Sequence, residues 1–179
     1  MTVEERPLRA DARRNREALV AAAREVFGAK GVDAPLDEIA RRAEVAIGTL
    51  YNRFPTRADL VEAAFLPALE GAREAAEDAL ACDDPWDGFV LLLERSVRMQ
   101  VNDRGFMQVC ARAFDPASGL EKAKQANASR IERIIARAQE AGRLRPDFRG
   151  EDLAIVFAAA TATPDWRRGL TMVLEGLRP

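Results

Sequence analysis

The sequence predicts an all-α protein that has an N-terminal three-helix unit followed by a larger helical bundle. Two observations carry this prediction. Residues 36–60 have the pattern of two short helices around a tight turn, followed at once by a third helix. From residue 58 onward, helical patterns are separated only by short breaks, with no internal repeat and no low-complexity linker. We therefore expect one domain at 1–57 and a second at 58–179.

The first helix opens with a basic segment and continues with an apolar stripe. Arg13, Arg14 and Arg16 precede the stripe, and Gly31 follows it as a stop signal. The stripe consists of Leu19, Ala22, Ala23, Val26 and Phe27. This face can cover the two short helices that follow, so three helices are expected to share one small core.

The two short helices have the layout of a helix-turn-helix. Their apolar positions are Ile39, Ala40 and Ala43 on the first helix, then Ile47, Leu50, Tyr51 and Phe54 on the second, with Val45 as a plug in the turn. The other face of the second helix carries Gly48, Thr49, Asn52 and Arg53, which suits a helix in a DNA major groove. Since glycine costs roughly 1 kcal/mol inside a helix, Gly48 suggests that something must approach closely there. On spacing alone, a small helical hairpin in an ordinary core is an equal alternative.

The order and spacing of these segments resemble a known family. The sequences RRNREALVAAAREVFGAKG and LDEIARRAEVAIGTLYNRFPTRADL are similar to the DNA-binding domain of the TetR/AcrR family of bacterial transcriptional regulators. The resemblance implies a recognition helix at 46–54, with Thr49 on a base edge or phosphate and Tyr51 and Arg57 on phosphates. The complete expected DNA-binding set is Arg13, Arg14, Arg16, Ala46, Ile47, Gly48, Thr49, Tyr51, Asn52, Arg53 and Arg57.

Three positions depart from the family pattern. Glu44 stands where glycine is frequent in the turn, so either the turn differs or the backbone is strained. Ala46 replaces the usual Ser or Thr at the start of the recognition helix, which removes a side-chain acceptor that a DNA phosphate could replace. Arg53 replaces a frequent histidine, and its charge does not titrate near neutral pH.

Charge gives weaker evidence for nucleic acid. Basic residues only slightly outnumber acidic ones in the first 57 positions, whereas the remainder is acidic. The cluster Arg6, Arg9, Arg13, Arg14 and Arg16 is either a solvated helix face or an arm that reaches a groove or phosphate.

The second domain is expected to contain helices at about 58–81, 86–102, 105–114, 118–142, 151–162 and 165–177. Most of its apolar residues are read as core, but methionine and phenylalanine also suit a cavity lining. The resemblance implies a pocket for a small hydrophobic or amphipathic inducer. We expect its wall to be Leu93, Val97, Phe106, Met107, Cys110, Phe114, Ile134 and Phe157, with Gln108 or Asn127 as polar anchors.

The resemblance also assigns the last two helices to a homodimer interface. The expected interface residues are Val156, Ala160, Trp166, Leu170, Val173 and Leu174. Pro164 ends the penultimate helix after about three turns, which is short for the family, so we expect an interface that is either smaller or arranged differently.

Several function classes are disfavoured by the sequence. The chain has no histidine, the commonest general base and metal ligand, and no phosphate-binding glycine-rich motif. Its two cysteines, Cys82 and Cys110, are too few and too far apart for a metal or redox motif. No signal peptide or membrane-spanning segment is found, so we expect a cytoplasmic protein without a membrane partner. We also expect no cofactor, no metal and no enzymatic activity.

The predicted function is that of a ligand-responsive transcriptional regulator, expected to be a repressor. A homodimer would bind an inverted-repeat operator in double-stranded DNA, and a small-molecule effector would release it. The alternative from another class is a helical ligand- or partner-binding module without specific DNA recognition. A helical enzyme without histidine is the third hypothesis.

Overall fold

A computed structural model describes residues 5–101 and 103–179, with side chains from Asp11 onward. The described chain is all-helical, as the sequence predicts, and contains no strand. The helices are α1 (Glu5–Lys30), α2 (Leu36–Arg42), α3 (Ile47–Arg53), α4 (Arg57–Ala81), α5 (Pro85–Val101), α6 (Arg104–Ala111), α7 (Gly119–Glu140), α8 (Leu153–Thr161) and α9 (Trp166–Gly176). A short 3-10 turn at Gly150–Asp152 leads into α8. α1 begins earlier than the basic segment at Arg13, and Pro7 falls in its first turn, where a missing N–H is tolerated.

The chain forms two compact units whose boundary differs from the expected 57/58 division. The first unit extends to Pro67 and also contains Asp103–Ala113, so it includes the first part of α4 and the whole of α6. The second unit begins at Ala68, continues through α5 and resumes at Phe114–Pro179. The boundary differs because α6, although it follows α5 in sequence, packs against α1.

The first unit has a core to which five helices contribute. Fully buried side chains come from α1, α2, α3, α4 and α6, and they are Leu19, Ala23, Phe27, Ile39, Leu50, Leu60, Phe65 and Val109. The rings of Phe27 and Phe65 stack with their centroids 6.4 Å apart. The apolar stripe predicted for α1 is buried, and α1 packs against α2 and α6.

α6 is fixed to the first unit by a glycine and a capping aspartate. A Cβ at Gly105 would lie 2.6 Å from the carbonyl oxygen of Phe27, so only glycine allows α6 to approach α1 this closely. Asp103 caps α6 by accepting a hydrogen bond of 2.8 Å from the Phe106 amide, and its carboxylate pairs with Arg24. The Arg24 guanidinium in turn lies 4.7 Å from the centroid of the Phe65 ring.

The second unit is a helical bundle around a continuous apolar core. The core consists mainly of Phe89, Leu93 and Val97 of α5, Ile134, Ile135 and Ala138 of α7, Val156 and Ala160 of α8, and Leu170 of α9. Asp84 begins α5 by accepting hydrogen bonds from the Trp86 and Asp87 amides, which hold the pKa of its carboxyl below the usual range. Ser118 caps α7 in the same way, through the Glu121 amide.

The last two helices of this unit pack closely because of one glycine. A Cβ at Gly169 of α9 would lie 2.5 Å from the carbonyl oxygen of Ala160 in α8. α8 is apolar on both faces: Leu153, Val156 and Ala160 are buried, whereas Ile155 is 68% exposed. A helix that is apolar all round usually has partners on more than one side.

Across the described ranges 5–101 and 103–179, none of the helices is both long enough and apolar enough to cross a membrane.

Candidate nucleic-acid interface

The turn between α2 and α3 is tight and partly strained. Glu44 has φ 55°, in the left-handed region that glycine adopts without penalty. The backbone of this turn is therefore strained at Glu44. The amide of Val45 donates to the carbonyl of Ala40, which closes the turn at 3.0 Å. Ala46 precedes α3 in an extended conformation, and no side chain caps the helix there. The loss of the family's capping side chain is thus visible in the structure.

α3 exposes more of its apolar residues than the predicted stripe allows. Leu50 and Phe54 are buried, with 0% and 3% of their surfaces exposed. Ile47 and Tyr51, which share the predicted apolar face with them, are 36% and 51% exposed, so only part of that face belongs to the core. Both residues are therefore available to the surface that the family resemblance assigns to DNA, which stays a prediction.

The rest of that surface is small and polar. Gly48 is exposed, and apart from its chain neighbours and the nearby backbone of α3, no described protein atom lies within 4 Å of the position that its Cβ would take. The internal packing of the protein therefore does not require glycine at this position. Thr49 is half-buried, while Asn52 and Arg53 are exposed. We call the exposed residues Ala46, Ile47, Gly48, Tyr51, Asn52 and Arg53, together with Thr49, the α3 face.

Arg57 has a different local role from the one expected. Its Nη1 atom donates to the carbonyls of Val32, at 2.9 Å, and Ala34, at 2.7 Å. The side chain is half-buried, so it holds the loop between α1 and α2. A phosphate contact by Arg57 stays a prediction and would have to use its remaining N–H groups. The start of α4 is fixed beside it by a capping box, in which Thr56 and Asp59 each accept from the other's backbone amide.

The basic residues of α1 are engaged within the protein. Arg13 forms an ion pair with Glu17 at 3.6 Å, and Arg14 pairs with Asp11. The Arg16 guanidinium lies 5.4 Å from the centroid of the Phe54 ring and so connects α1 with the end of α3. Exposed ion pairs of this kind contribute little stability and can be exchanged for phosphates. The side chains of Arg6 and Arg9, also predicted for an arm, lie outside the described residues.

The residues predicted to line a ligand pocket are not brought together in one unit. Phe106, Met107 and Cys110 lie on α6 in the first unit, where Phe106 is buried and the other two are exposed. The remaining residues lie in the second unit: Leu93, Val97 and Ile134 in its core, and Phe114 and Phe157 half-buried.

The two expected polar anchors of that pocket have structural partners. Gln108 accepts a hydrogen bond of 2.7 Å from the Val32 amide. Asn127 is buried and donates to the carbonyl of Leu69 at 3.0 Å. Both side chains thus satisfy backbone groups within their own units, and the sequence gives no sign of this pairing because the partners are far apart along the chain.

The residues predicted for a dimer interface divide by burial. Val156, Ala160 and Leu170 are 3%, 0% and 2% exposed, so they belong to the core of the second unit, where no partner subunit can reach them. Trp166, Val173 and Leu174 are half-buried. The large apolar residues that are exposed on these helices are instead Ile155 of α8 and Met172 of α9, which sequence reasoning did not select.

A helix-turn-helix whose second helix presents a small, polar and partly apolar face defines a DNA-binding regulator. Two family models match the chain: bacterial regulatory proteins of the tetR family, over residues 19–64, and the C-terminal domain of SbtR-like transcriptional regulators, over residues 84–179. The chain therefore belongs to the TetR family of bacterial transcriptional regulators. Members of this family are generally DNA-binding proteins without enzymatic activity.

Solved structures agree with this assignment. The TetR regulator SCO0520 of Streptomyces coelicolor is 32% identical, with 92% of this chain and 98% of that chain covered and a TM-score of 0.55. A TetR regulatory protein of Mycobacterium vanbaalenii is also 32% identical, with 97% and 100% covered and a TM-score of 0.55. RolR in complex with resorcinol is 21% identical, with 94% and 90% covered and a TM-score of 0.56, which shows the fold alone. No curated protein shows significant similarity to the chain.

Proposed function

We propose that this regulator binds an inverted-repeat operator as a homodimer through the α3 face, represses transcription there and is released by a small molecule. The observation that carries the DNA-binding site is the exposure of Ile47 and Tyr51 around an unencumbered Gly48. A helix that only completed a core would bury the two large side chains and would not need the glycine. In the described part of the chain, no partner is found for the Arg53 guanidinium, which leaves this cation available for a phosphate.

The homodimer is supported by the surface of α8 and α9. Ile155 has 68% of its surface exposed and stands at the wall of a groove of about 460 Å³, whose apolar lining also includes Phe148, Val173 and Leu177. A two-fold interface joins the same patch of both subunits. The Ile155 side chain of each subunit can therefore enter the groove of the other. Ala158 and Ala159 are exposed on the same helix and allow close approach of a second helix.

Release by a ligand is supported by the class of protein and by the fold. RolR, which shares the fold, is known in complex with the ligand resorcinol. For this chain we propose a small hydrophobic or amphipathic effector. By linkage, a compound that weakens DNA binding must itself bind the DNA-free protein more tightly than the DNA complex, by the same factor.

DNA binding is tested by selecting duplexes from a random pool with the wild-type protein and measuring affinity for the selected duplex over a range of salt concentrations. Affinity should fall steeply as salt rises, since phosphate contacts release counterions. Tyr51→Phe should weaken binding to all sequences, and Thr49→Ala should change sequence preference. Ser129→Ala removes an exposed hydroxyl on α7 and is the matched control. If no duplex is selected, the chain is a helical binding module without DNA recognition.

The homodimer is tested by sedimentation of an Ile155→Asp variant. A charge in the middle of the apolar patch should produce monomers, because a buried unpaired carboxylate is strongly unfavourable. Ala128→Asp, on an exposed position of α7, should leave the mass unchanged. A wild-type protein that sediments as a monomer at all concentrations would rule out the dimer.

The effector is sought in a panel of small hydrophobic and amphipathic compounds, including resorcinol, by their effect on affinity for the selected duplex. At least one compound should weaken binding. Unchanged affinity across the panel would leave a constitutive DNA-binding protein.

A further inference from the structure

The short loop between α1 and α2 is held by side chains from two other helices. Gln108 of α6 accepts a hydrogen bond from the Val32 amide at 2.7 Å. Arg57 of α4 donates to the Val32 carbonyl at 2.9 Å and to the Ala34 carbonyl at 2.7 Å. Both polar groups of one buried loop residue are therefore satisfied by side chains and not by secondary structure. We call this arrangement the Val32 clamp.

The loop is shaped to receive the Gln108 amide. Gly31 has φ +92°, and a Cβ there would lie 2.6 Å from the Gln108 Oε1 atom. Any other residue would be strained and would push the glutamine away from Val32. A second tie from the end of α6 reaches the same loop, where Arg112 pairs with Asp33 at 3.3 Å.

The position of this loop determines where the helix-turn-helix begins. α2 starts at Leu36, directly after the loop, and is joined to α3 by the tight turn that the Val45–Ala40 hydrogen bond closes. The loop leads directly into α2, and the four-residue turn joins α2 closely to α3. We therefore expect a shift of the loop to move α2 and α3 as well.

We propose that Gln108 is a positioning residue for DNA recognition, which acts on the α3 face through Val32 without itself contacting DNA. This inference rests on the proposed DNA-binding function. α6 has independent attachments to the first unit, namely the Asp103–Arg24 ion pair and the close approach at Gly105. Removing the Gln108 acceptor should therefore leave α6 docked and loosen the loop together with the helices that follow it.

The test compares Gln108→Met, which keeps the length of the side chain and removes the acceptor, with Gln108→Glu, which keeps an acceptor for the Val32 amide. Binding to the duplex selected by the wild-type protein is measured well below the unfolding temperature. Gln108→Met should weaken binding about fivefold, the equivalent of one hydrogen bond, and Gln108→Glu should restore it to within about twofold of wild type. Arg104→Met replaces an exposed charged residue of the same helix with the same side chain and is the control.

A purely structural role would lower the melting temperature of Gln108→Met and leave the affinity of the folded protein unchanged. Hydrogen exchange at the Val32 amide supplies a readout on the clamp itself, and it should be faster in Gln108→Met and close to wild type in Gln108→Glu. If Gln108→Met fails to fold, Gln108→Asn removes the same contact with a shorter side chain.

The outcomes separate this inference from the proposed function. If the wild-type protein selects no duplex, the proposed function fails and this inference falls with it. If the wild-type protein binds DNA and Gln108→Met binds equally well, only the inference is overturned. Equal losses in Gln108→Met and Arg104→Met would also overturn it, because they would indicate a general disturbance of α6.

Discussion

Gly48→Ala separates folding from DNA binding at one position. Beyond its chain neighbours and the nearby backbone of α3, the Cβ of an alanine at position 48 would meet no described protein atom within 4 Å, so the substitution creates no clash with the rest of the protein. Alanine also loses less backbone entropy than glycine when a helix forms. The free energy of unfolding should therefore rise by about 0.5–1 kcal/mol.

The same methyl group should oppose DNA binding. If the α3 face meets a base edge or phosphate at the Gly48 backbone, the added carbon occupies the space of that contact, and the whole helix must move outward. We expect an increase in the dissociation constant of at least about tenfold, or 1.4 kcal/mol. Stability and affinity thus change in opposite directions, which is not the result of a general packing defect.

Gly71→Ala is the matched control, since Gly71 lies inside α4 and a Cβ there also meets nothing within 4 Å. Both variants should be more stable than wild type in urea unfolding, and only Gly48→Ala should lose affinity for the selected duplex in a fluorescence-anisotropy titration. Equal affinities of the two variants would refute the reasoning, because the Gly48 backbone would then not be at the interface.

Three further substitutions test the local structure by urea unfolding. Glu44→Gly should raise the free energy of unfolding by about 1 kcal/mol, because glycine adopts the positive φ of this position without strain. Ala43→Gly, at a position of ordinary helical conformation, should lower it. Equal effects of the two substitutions would contradict the strain at Glu44. Arg57→Met should lower it by about 2 kcal/mol through the loss of two charge-assisted hydrogen bonds to the loop, and no change would contradict the clamp. Gly169→Ala should lower it by about 1–3 kcal/mol, because α8 and α9 must separate, and a gain would show that the close approach is absent.

The order and bounds of the helices could be predicted because their signals are local. Asp84–Pro85, Ser118–Gly119 and Asp165 each mark a helix start in the sequence, and each caps a helix in the structure. Periodicity gave less information about α3. Its four apolar positions span roughly 100° around the helix axis, and in a helix of two turns nothing in the pattern indicates which edge of that arc faces the core. The core lies on the side of Leu50 and Phe54, so Tyr51 at the far edge is exposed.

Tertiary partners were harder to predict than helices. α6 follows α5 in sequence, and its Phe106 suits either unit, but Gly105 and Asp103 place the helix against α1. Neither residue indicates its partner in the sequence, since a glycine at a close approach and an aspartate at a helix start look alike whatever helix lies opposite. For the same reason, the sequence suggests a pocket role for Gln108, although its side chain accepts a hydrogen bond from the Val32 amide.

The dimer residues illustrate a shift of one position on a helix that is apolar all round. Leu153, Val156 and Ala160 follow helical spacing, and so do Ile155, Ala158 and Ala159 on the opposite side, so the pattern of α8 contains two equivalent faces. In the structure, the face that contains Ala160 is buried against α9, because Gly169 has no side chain and lets α9 pack directly on Ala160. Once that face is used inside the unit, the face around Ile155 is the one that stays open to a second subunit. An interface built there would use alanines for close approach and one isoleucine for specificity, which suits a penultimate helix that Pro164 keeps short.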